Sequence, residues 1–237
     1  MEILGWEQAD IIIVSGDAYV DHPSFGPAMI SRILEKDGFK VALLPQPNWR
    51  DDLRDFTKLG TPKLFFGITG GCMDSMINHY TANKRLRSDD AYSPGNKSGF
   101  RPDYATVTYC RILKKLFSKT PVIIGGVEAS LRRLTHYDYW TDSLKPGILV
   151  DSGADLLVYG MGEKPIRALA KLIASGKEIQ SITDIQQTCI LSDNQPDSKE
   201  GIILHSYEIC LKDKISFAKN FVIEETESNS FAPRKSR

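Results

Sequence analysis

Acidic, imidazole and hydroxyl side chains are crowded into the segment GDAYVDHPSFG, residues 16–26. Asp17, His22 and Ser24 follow directly after the apolar run DIIIVS. A turn needs only residues such as Gly, Pro or Asn to set its backbone angles, so these side chains exceed what a turn requires. Carboxylates, imidazoles and hydroxyls can bind polar ligands or transfer protons, and the segment is therefore a candidate ligand-binding loop.

Three more segments place the same kinds of side chain after an apolar run. They are TGGCMDSMINHY at 69–80, GGVEASLRRLTHYDYW at 125–140 and GMGEKP at 160–165. The loops that precede the apolar runs, such as KDGF and KLGTPK, are plainer. The four segments together contribute Asp17, Asp21, His22, Asp74, His79, Glu128, Arg132, Arg133, His136 and Glu163.

The elements that must position these segments are short strands alternating with helices. Helical spacing of apolar residues predicts helices over 24–38, 102–117 and 163–176. Alternation of this kind predicts an α/β, doubly wound parallel sheet of about five strands, Rossmann-like or flavodoxin-like, over residues 8–176. The continuously apolar runs are typical of strands buried on both faces, and they lie at 10–15, 40–45, 63–69, 121–126 and 155–160.

Ligands of doubly wound sheets bind outside the carboxyl ends of the strands, where all four polar segments fall. For the glycine pair 125–126, a ligand-binding role and simple helix capping by Glu128 and Ser130 remain equally open. The G-x-G-E of residues 160–163 by itself favours a tight turn. The residues predicted to form the ligand-binding edge are Asp17, His22, Ser24, Gly125, Gly126, Glu128, Gly160, Gly162 and Glu163.

Composition excludes several classes of function. The chain has 237 residues with 30 basic and 30 acidic side chains, so its net charge indicates neither a nucleic-acid nor a membrane partner. No apolar stretch is long enough to cross a bilayer and the start does not resemble a secretory signal, so we expect a cytoplasmic protein with reduced thiols. The four cysteines are widely separated and the histidines lie on different loops, so no metal site is predicted.

Two regions depart from the alternating pattern. Residues 70–101 form a long polar insert after the third strand, of a length that is usually functional or contacts a partner. The chain is predicted to divide into an α/β domain at 1–176 and an extension at 177–237. Within the extension, QQTCIL suggests a strand, residues 207–221 suggest a helix, and residues 224–237 are expected to be disordered.

The order of the polar segments resembles the N-terminal region of YgiQ-type radical S-adenosylmethionine proteins. The segments that carry the resemblance include FFGITGGCMDSMINHYTANKRLRSDDAYSP, RPDYAT, LVDSGADLLVYGMGEKP and LHSYEIC, and it covers about residues 4–230. The pairing of GG-x-E-A-S with YGMGE is also similar to the cobalamin-binding-like domain that precedes many radical S-adenosylmethionine cores.

The resemblance implies a 4Fe-4S cluster, held by a CxxxCxxC motif, and reductive cleavage of S-adenosylmethionine. This sequence contains no CxxxCxxC, so we expect an N-terminal fragment that is inactive alone and whose radical core lies downstream in the same polypeptide. Base-off corrinoid domains ligate cobalt through D-x-H-x-x-G. Here the loop reads Asp21-His22-Pro23-Ser24-Phe25-Gly26, without the spacer, so His22 is not expected to ligate cobalt. A substrate, a corrinoid-like ligand and the radical core remain the three candidates that this loop would contact.

Two functions remain open from the sequence, besides the weaker alternative of a purely structural interaction module. The first is an accessory region of a radical S-adenosylmethionine protein that binds substrate or cofactor and packs on the core. The second is a self-contained α/β ligand-binding or hydrolytic domain that uses the acids and histidines of the four segments directly. The substrate is not identified by either.

Overall fold

A computed structural model describes residues 2–193 and 201–228 of the chain. The strands are β1 Ile11–Ser15, β2 Val41–Pro45, β3 Phe65–Thr69, β4 Val122–Gly125, β5 His136–Asp138, β6 Ser143–Lys145, β7 Leu156–Val158 and β8 Thr188–Cys189. The α-helices are α1 Gly26–Lys36, α2 Arg54–Thr57, α3 Ser75–His79, α4 Ala105–Leu116, α5 Gly126–Leu131, α6 Ile148–Ser152, α7 Glu163–Ala174, α8 Tyr207–Lys212 and α9 Lys214–Ser228. Short 3₁₀ helices span Glu2–Leu4, Pro94–Asn96 and Ile179–Ser181.

Six strands form one sheet in the order β2-β1-β3-β4-β7-β8. The first five are parallel, and β8 joins β7 in the antiparallel sense. The parallel part has the flavodoxin-like strand order, in which the chain runs outward in both directions from β1. The predicted α/β fold is confirmed, and the sixth strand is the short one that QQTCIL suggested.

Alternate residues of the buried strands supply the two faces of the sheet. Ile12 and Val14 belong to one hydrophobic core, while Ile11 and Ile13 belong to the other. The first core also takes residues of α4 and α6, and the second takes residues of α1 and α7. Full burial of such a side chain stabilises the fold by roughly 1.5–3 kcal/mol, so both faces must be covered by helices. The three predicted helices correspond to α1, α4 and α7.

The insert at 70–101 has structure of its own. It contains α3, the 3₁₀ helix Pro94–Asn96, and isolated bridges that pair Tyr80 with Leu86 and Asp89 with Lys97. A polar segment keeps this order because its backbone groups bond to one another, as when Arg87 donates to the carbonyl of His79 at 2.7 Å. The insert is therefore a folded part of the domain and not a bare loop.

The chain divides into two compact units. Unit 1 comprises Met1–Arg133 and Ile148–Ile190, and unit 2 comprises Leu134–Gly147 and Leu191–Arg237. Unit 1 holds the six-stranded sheet, whereas unit 2 holds the β5–β6 hairpin with α8 and α9. The boundary predicted at residue 176 stays a prediction, although β8 lies beyond it and pairs with β7.

Unit 2 differs from the expected single helix and disordered end. Asp213 ends α8, and its carboxylate accepts bonds from the amides of Ile215 and Ser216, so it caps a separate α9. That helix continues to Ser228, so the expectation of disorder was wrong for residues 224–228, and residues 229–237 lie outside the described chain. Helix α9 buries polar Ser216 and Asn220 while its apolar Phe221 and Val222 are exposed.

Candidate functional site

Arg101 is the centre of the carboxyl edge of the sheet in unit 1, and its side chain is fully buried. Its Nη2 lies 2.7 Å from Oδ1 of Asp17 and its Nε lies 3.5 Å from Oδ2 of Asp90. Its Nη1 donates to the carbonyl of Gly70 at 3.0 Å. One guanidinium therefore connects the loop after β1 with the loop after β3 and with Asp90 of the polar insert. We call Asp17, Asp90 and Arg101 the Arg101 cluster.

Asp17 joins the loops that follow β1 and β3. Its Oδ2 accepts a bond from the amide of Cys72 at 2.6 Å. Burial raises the pKa of Asp17, an effect that the charge of Arg101 and the Cys72 amide only partly oppose. Gly71 has φ +112°, and a Cβ there would collide with Oδ1 of Asp17. Only glycine therefore allows the two loops to approach this closely.

Asp90 is held by local bonds from the insert. Its Oδ2 accepts from the hydroxyl of Ser93 at 2.7 Å and its Oδ1 accepts from the amide of Tyr92 at 2.9 Å. Burial raises the pKa of Asp90, but bonds from Ser93 and Asn78 outweigh it and the net change is downward. Asp90 is therefore an anionic partner of the buried guanidinium, in addition to Asp17.

Glu128, at the start of α5, forms a second buried group at the same edge. One oxygen accepts from the hydroxyl of Ser75 at 2.7 Å and the other accepts from the amide of Thr106 at 2.9 Å. Its complete burial raises its pKa, with Asp74 adding to the effect. Gly126 precedes it with φ +82°, where a Cβ would collide with Oγ1 of Thr69. Glu128 thus ties α3, α4 and α5 together.

Asp74 and Arg132 form an ion pair beside Glu128. Asp74 also caps α3, because its Oδ1 accepts from the amides of Met76 and Ile77 at 3.1 and 3.3 Å. Both members are shielded, with side-chain exposures of 3% for Asp74 and 14% for Arg132. The pair accounts for two further residues that the sequence placed at this edge.

His22 and Ser24 lie on the exposed part of the first loop. The amide of Ser24 donates to Nδ1 of His22 at 3.1 Å, which shapes the turn locally. Asp21 is equally exposed and pairs with Arg32 at 2.7 Å. The loop borders a shallow depression with a mostly apolar lining that includes Ala18, Tyr19, Val20, Phe25, Pro27, Ala28 and Leu43.

The remaining predicted residues lie where the loop after β4 meets the loop after β7. Gly125 ends β4, and Gly160 and Gly162 lie between β7 and α7, which begins at Glu163. The amide of Gly160 donates to Oγ of Ser130 at 3.1 Å, so the structure brings the third and fourth polar segments together. The ligand-binding role of these residues stays a prediction.

The histidines do not converge within the described residues. His79 is buried and its Nδ1 lies 2.8 Å from Oδ1 of Asp103, which also accepts from Tyr80. His136 belongs to unit 2, in strand β5. No group of three His, Cys, Asp or Glu residues suited to a metal ion occurs at 2–193 or 201–228.

Arg101 and Asp103 were not among the predicted site residues, and Asp90 was not given a partner. The insert of residues 70–101 was expected to be functional or to contact a partner, but a sequence does not show which charges of such a run are buried. The available signal was RPDYAT, in which Arg101 precedes Pro102 and α4. The backbone at the start of a buried helix has a fixed position. A charged residue there is therefore a candidate for an ion pair inside the protein.

The groups that the resemblance implies do not fit this part of the chain. The described cysteines do not form a cluster site, and burial raises the pKa of Cys72 and Cys189 to about 11 and of Cys110 to about 12. Iron–sulfur clusters are held by several cysteine thiolates that lie close together, an arrangement that the described cysteines do not form. The crevice between β1 and β3 is filled by Arg101 and Asp17, which leaves no recess there for part of a cobalamin.

Membrane insertion finds no support in the helices. Among the residues that the structure describes, no helix combines the length and apolar character required to cross a bilayer. The chain spans 34–40% of the length of three curated relatives that it matches.

Those relatives are described as UPF0313 proteins. The one from Porphyromonas gingivalis is 57% identical over 98% of this chain and 37% of its own length. The one from Bacteroides thetaiotaomicron is 54% identical over 98% of this chain and 40% of its own length. A protein from Clostridium botulinum is 51% identical over 93% of this chain and 34% of its own length.

Among solved structures, the radical S-adenosylmethionine methyltransferase TsrM from Kitasatospora setae, with cobalamin and a [4Fe-4S] cluster bound, has a similar fold. The TM-score is 0.50 at 19% identity, and the match covers 78% of this chain and 28% of that one. The model of the family described as Radical SAM N-terminal matches residues 1–236. The chain therefore belongs to the Radical SAM N-terminal family.

Proposed function

We propose that this chain is the accessory region of a radical S-adenosylmethionine iron–sulfur protein, which binds substrate or cofactor and packs on a catalytic core in the same polypeptide. Membership of the family over residues 1–236 supports the assignment. The chain spans 37% and 40% of the curated relatives from Porphyromonas gingivalis and Bacteroides thetaiotaomicron, which leaves most of each relative to supply the core. The cluster and S-adenosylmethionine belong to that remainder, and no chemical step is assigned to this chain.

The observation that carries the proposal is an apolar rim at the carboxyl edge of the sheet. Leu131 and Met161 are 60% and 72% exposed, and their loops are joined by the bond between Ser130 and Gly160. Ile77 is 58% exposed, and it lies in α3, whose first residues bond to the buried Asp74 and Glu128. Exposed apolar side chains grouped on rigid loops are typical of an interaction surface.

The buried charges give this rim its rigidity. Glu128 connects α3, α4 and α5, and Arg101 connects the loops after β1 and β3. Under the proposal, Asp17 and Glu128 are positioning residues, while His22, Ser24 and Glu163 lie where a substrate or the core would contact the edge. Binding sites built on loops that a rigid scaffold holds in place are the usual arrangement in such folds.

The test compares matched variants in the full-length protein that contains this chain. Leu131→Asp places a charge on the rim, and Val150→Asp does the same in α6 at a position that is 58% exposed. We expect Leu131→Asp to increase hydrogen exchange of the edge loops and to reduce reductive cleavage of S-adenosylmethionine at least tenfold, with Val150→Asp unchanged. Equal behaviour of the two variants would contradict the proposal.

Iron and labile sulfide after anaerobic reconstitution provide the second measurement. We expect cluster in the full-length protein and none in residues 1–237, because the described cysteines do not form a group that could hold a metal ion. A stoichiometric cluster in the shorter chain would show that its own cysteines are ligands. Turnover of a small-molecule ester or phosphoester by the shorter chain would favour the alternative, a self-contained hydrolytic domain.

A further inference from the structure

The crevice outside β1 and β3 is where a sheet of this strand order ordinarily binds its ligand. Strand β1 pairs with β2 on one side and β3 on the other, so the chain connections leave in opposite directions at this point. Diverging connections open a crevice at the carboxyl ends of the two strands. In this protein Asp17 follows β1 and Gly70 follows β3, and they line the crevice.

The side chain of Arg101 already occupies that position. Its guanidinium contacts the Gly70 carbonyl at 3.0 Å and Oδ1 of Asp17 at 2.7 Å, one residue from each side of the crevice. Asp90 approaches Nε at 3.5 Å, and the face of Tyr92 lies 5.7 Å from the guanidinium carbon. The side chain has no solvent exposure. Carboxylates, a carbonyl and an aromatic face are the groups that recognise a planar cation.

The surrounding residues leave little room for another occupant. Gly71 lies so close to Asp17 that no Cβ fits between them. Gln46 donates to the Gly16 carbonyl at 3.0 Å and to the Ser93 hydroxyl at 2.7 Å, which connects the β1 loop to the insert from a further direction. These contacts close the crevice around the guanidinium.

We infer that the switch-point crevice is a guanidinium site whose ligand is Arg101 of the same chain, in place of a cobalamin or a nucleotide. The site takes a planar cation because two carboxylates and a carbonyl face it, whereas phosphate groups would meet those same acids. Binding of Arg101 then holds the insert of residues 70–101 onto the sheet edge. The inference stands on the contacts within unit 1 and does not depend on the proposed function.

The test removes the side chain and supplies its head group in solution. Arg101→Gly leaves a guanidinium-sized space, and we expect about 10 mM guanidinium, far below its denaturing range, to raise the unfolding midpoint by about 5 °C in a saturable manner. Arg101→Met fills the space and should show no such increase. Arg111→Gly, which removes an exposed arginine, and ammonium chloride at equal ionic strength are the controls.

A folded Arg101→Gly protein that guanidinium does not stabilise would overturn the inference. Should that variant not fold, the wild-type chain decides the question through titration with hydroxocobalamin and with NAD, followed by absorbance and calorimetry. We expect no binding of either up to about 100 μM, a weak-affinity limit. Stoichiometric binding of either that Asp17→Asn abolishes would place a ligand in the crevice and overturn the inference equally.

Discussion

Both edges of the sheet in unit 1 have carboxylates at strand ends, but the ion pairs of these carboxylates differ in their exposure to solvent. At the amino edge, Asp10 and Asp155 precede β1 and β7, and each accepts a backbone amide at 2.7 Å, from Lys40 and Val122. Each also pairs with a partly exposed lysine. At the carboxyl edge, the ion pair of Asp17 with Arg101 is completely buried.

This difference determines at which edge the loss of one charge destabilises the protein more. A partly solvated pair at the amino edge can lose one member, because water then solvates the other. A buried pair cannot, because the remaining charge stays in a medium that solvates it poorly. At the carboxyl edge, each buried charge is therefore stable only while its partner is in place. This requirement holds the loops of that edge in one conformation.

The largest effect is expected from Arg101→Met, which removes the cation of the buried edge. Asp17 and Asp90 would remain buried without their partner, and we expect the free energy of unfolding to fall by about 3–5 kcal/mol. Urea denaturation followed by circular dichroism measures the loss. Lys114→Met, which breaks the 2.9 Å pair with Asp155 at the amino edge, should cost about 1 kcal/mol or less. Similar losses in both variants would remove the distinction between the edges.

Gly71→Ala should have the next largest effect. Gly71 has φ +112° and its added methyl would meet Asp17, so we expect a loss of about 2–3 kcal/mol from strain and displacement of the ion pair. Gly60→Ala is the matched control, since Gly60 also has a positive φ of +71° but nothing lies within 4 Å of an added Cβ. Thermal unfolding of both variants separates backbone strain from collision. Equal midpoints would mean that the approach of the two loops does not matter.

Glu128→Gln should change the pH dependence of stability more than stability itself. Burial raises the pKa of the Glu128 carboxyl in the folded protein above its usual 4.5. The wild-type protein therefore loses stability as the pH rises above 4.5 and through the pKa of the folded state. Glutamine carries no charge and preserves the shape, so the stability of the variant relative to the wild type should increase as the pH rises above 4.5. Denaturant titrations across that range give the difference. A difference that stays constant with pH would contradict the assignment.

The smallest effect is expected from Asp37→Asn, at an ion pair between α1 and α7 whose arginine is partly exposed. Arg167 contacts both carboxylate oxygens at 2.6 Å and lowers the pKa of Asp37 to about 2. The stabilisation is present above its usual pKa of 3.8 and disappears as pH falls toward 2. The wild type should therefore unfold at a slightly higher temperature near neutral pH, and calorimetry should show this advantage narrowing in acid. Added salt should also reduce it.

Several features were predictable because they depend on local pattern. Ile11–Ser15 and Phe65–Thr69 are continuously apolar, and such strands must be covered on both faces wherever they pair. Asp17, Asp74 and Glu128 were placed at the carboxyl edge because every parallel strand ends there. The confirmed α/β fold follows from the same alternation.

Other features could not be predicted because they depend on which distant groups meet. Asp17 resembled a ligand-binding acid until Arg101, 84 positions later, was seen against it. The separation of α8 from α9 depended on the cap at Asp213, and the apolar pattern ran across it. Helix α9 buries Ser216 and Asn220, although polar side chains are usually exposed. Asn220 can be buried because it bonds to both the amide and the carbonyl of His205 at 2.9 Å.

The sequence by itself determined the strands, the helices of the sheet and the edge to which the polar segments belong, because hydrophobic periodicity and strand direction are properties of the local chain. Only the tertiary structure decided which of those charges are buried, which are exposed, and that an arginine of the insert occupies the crevice. The energy of a buried charge depends on all the groups around it, and those groups come from segments far apart in the sequence.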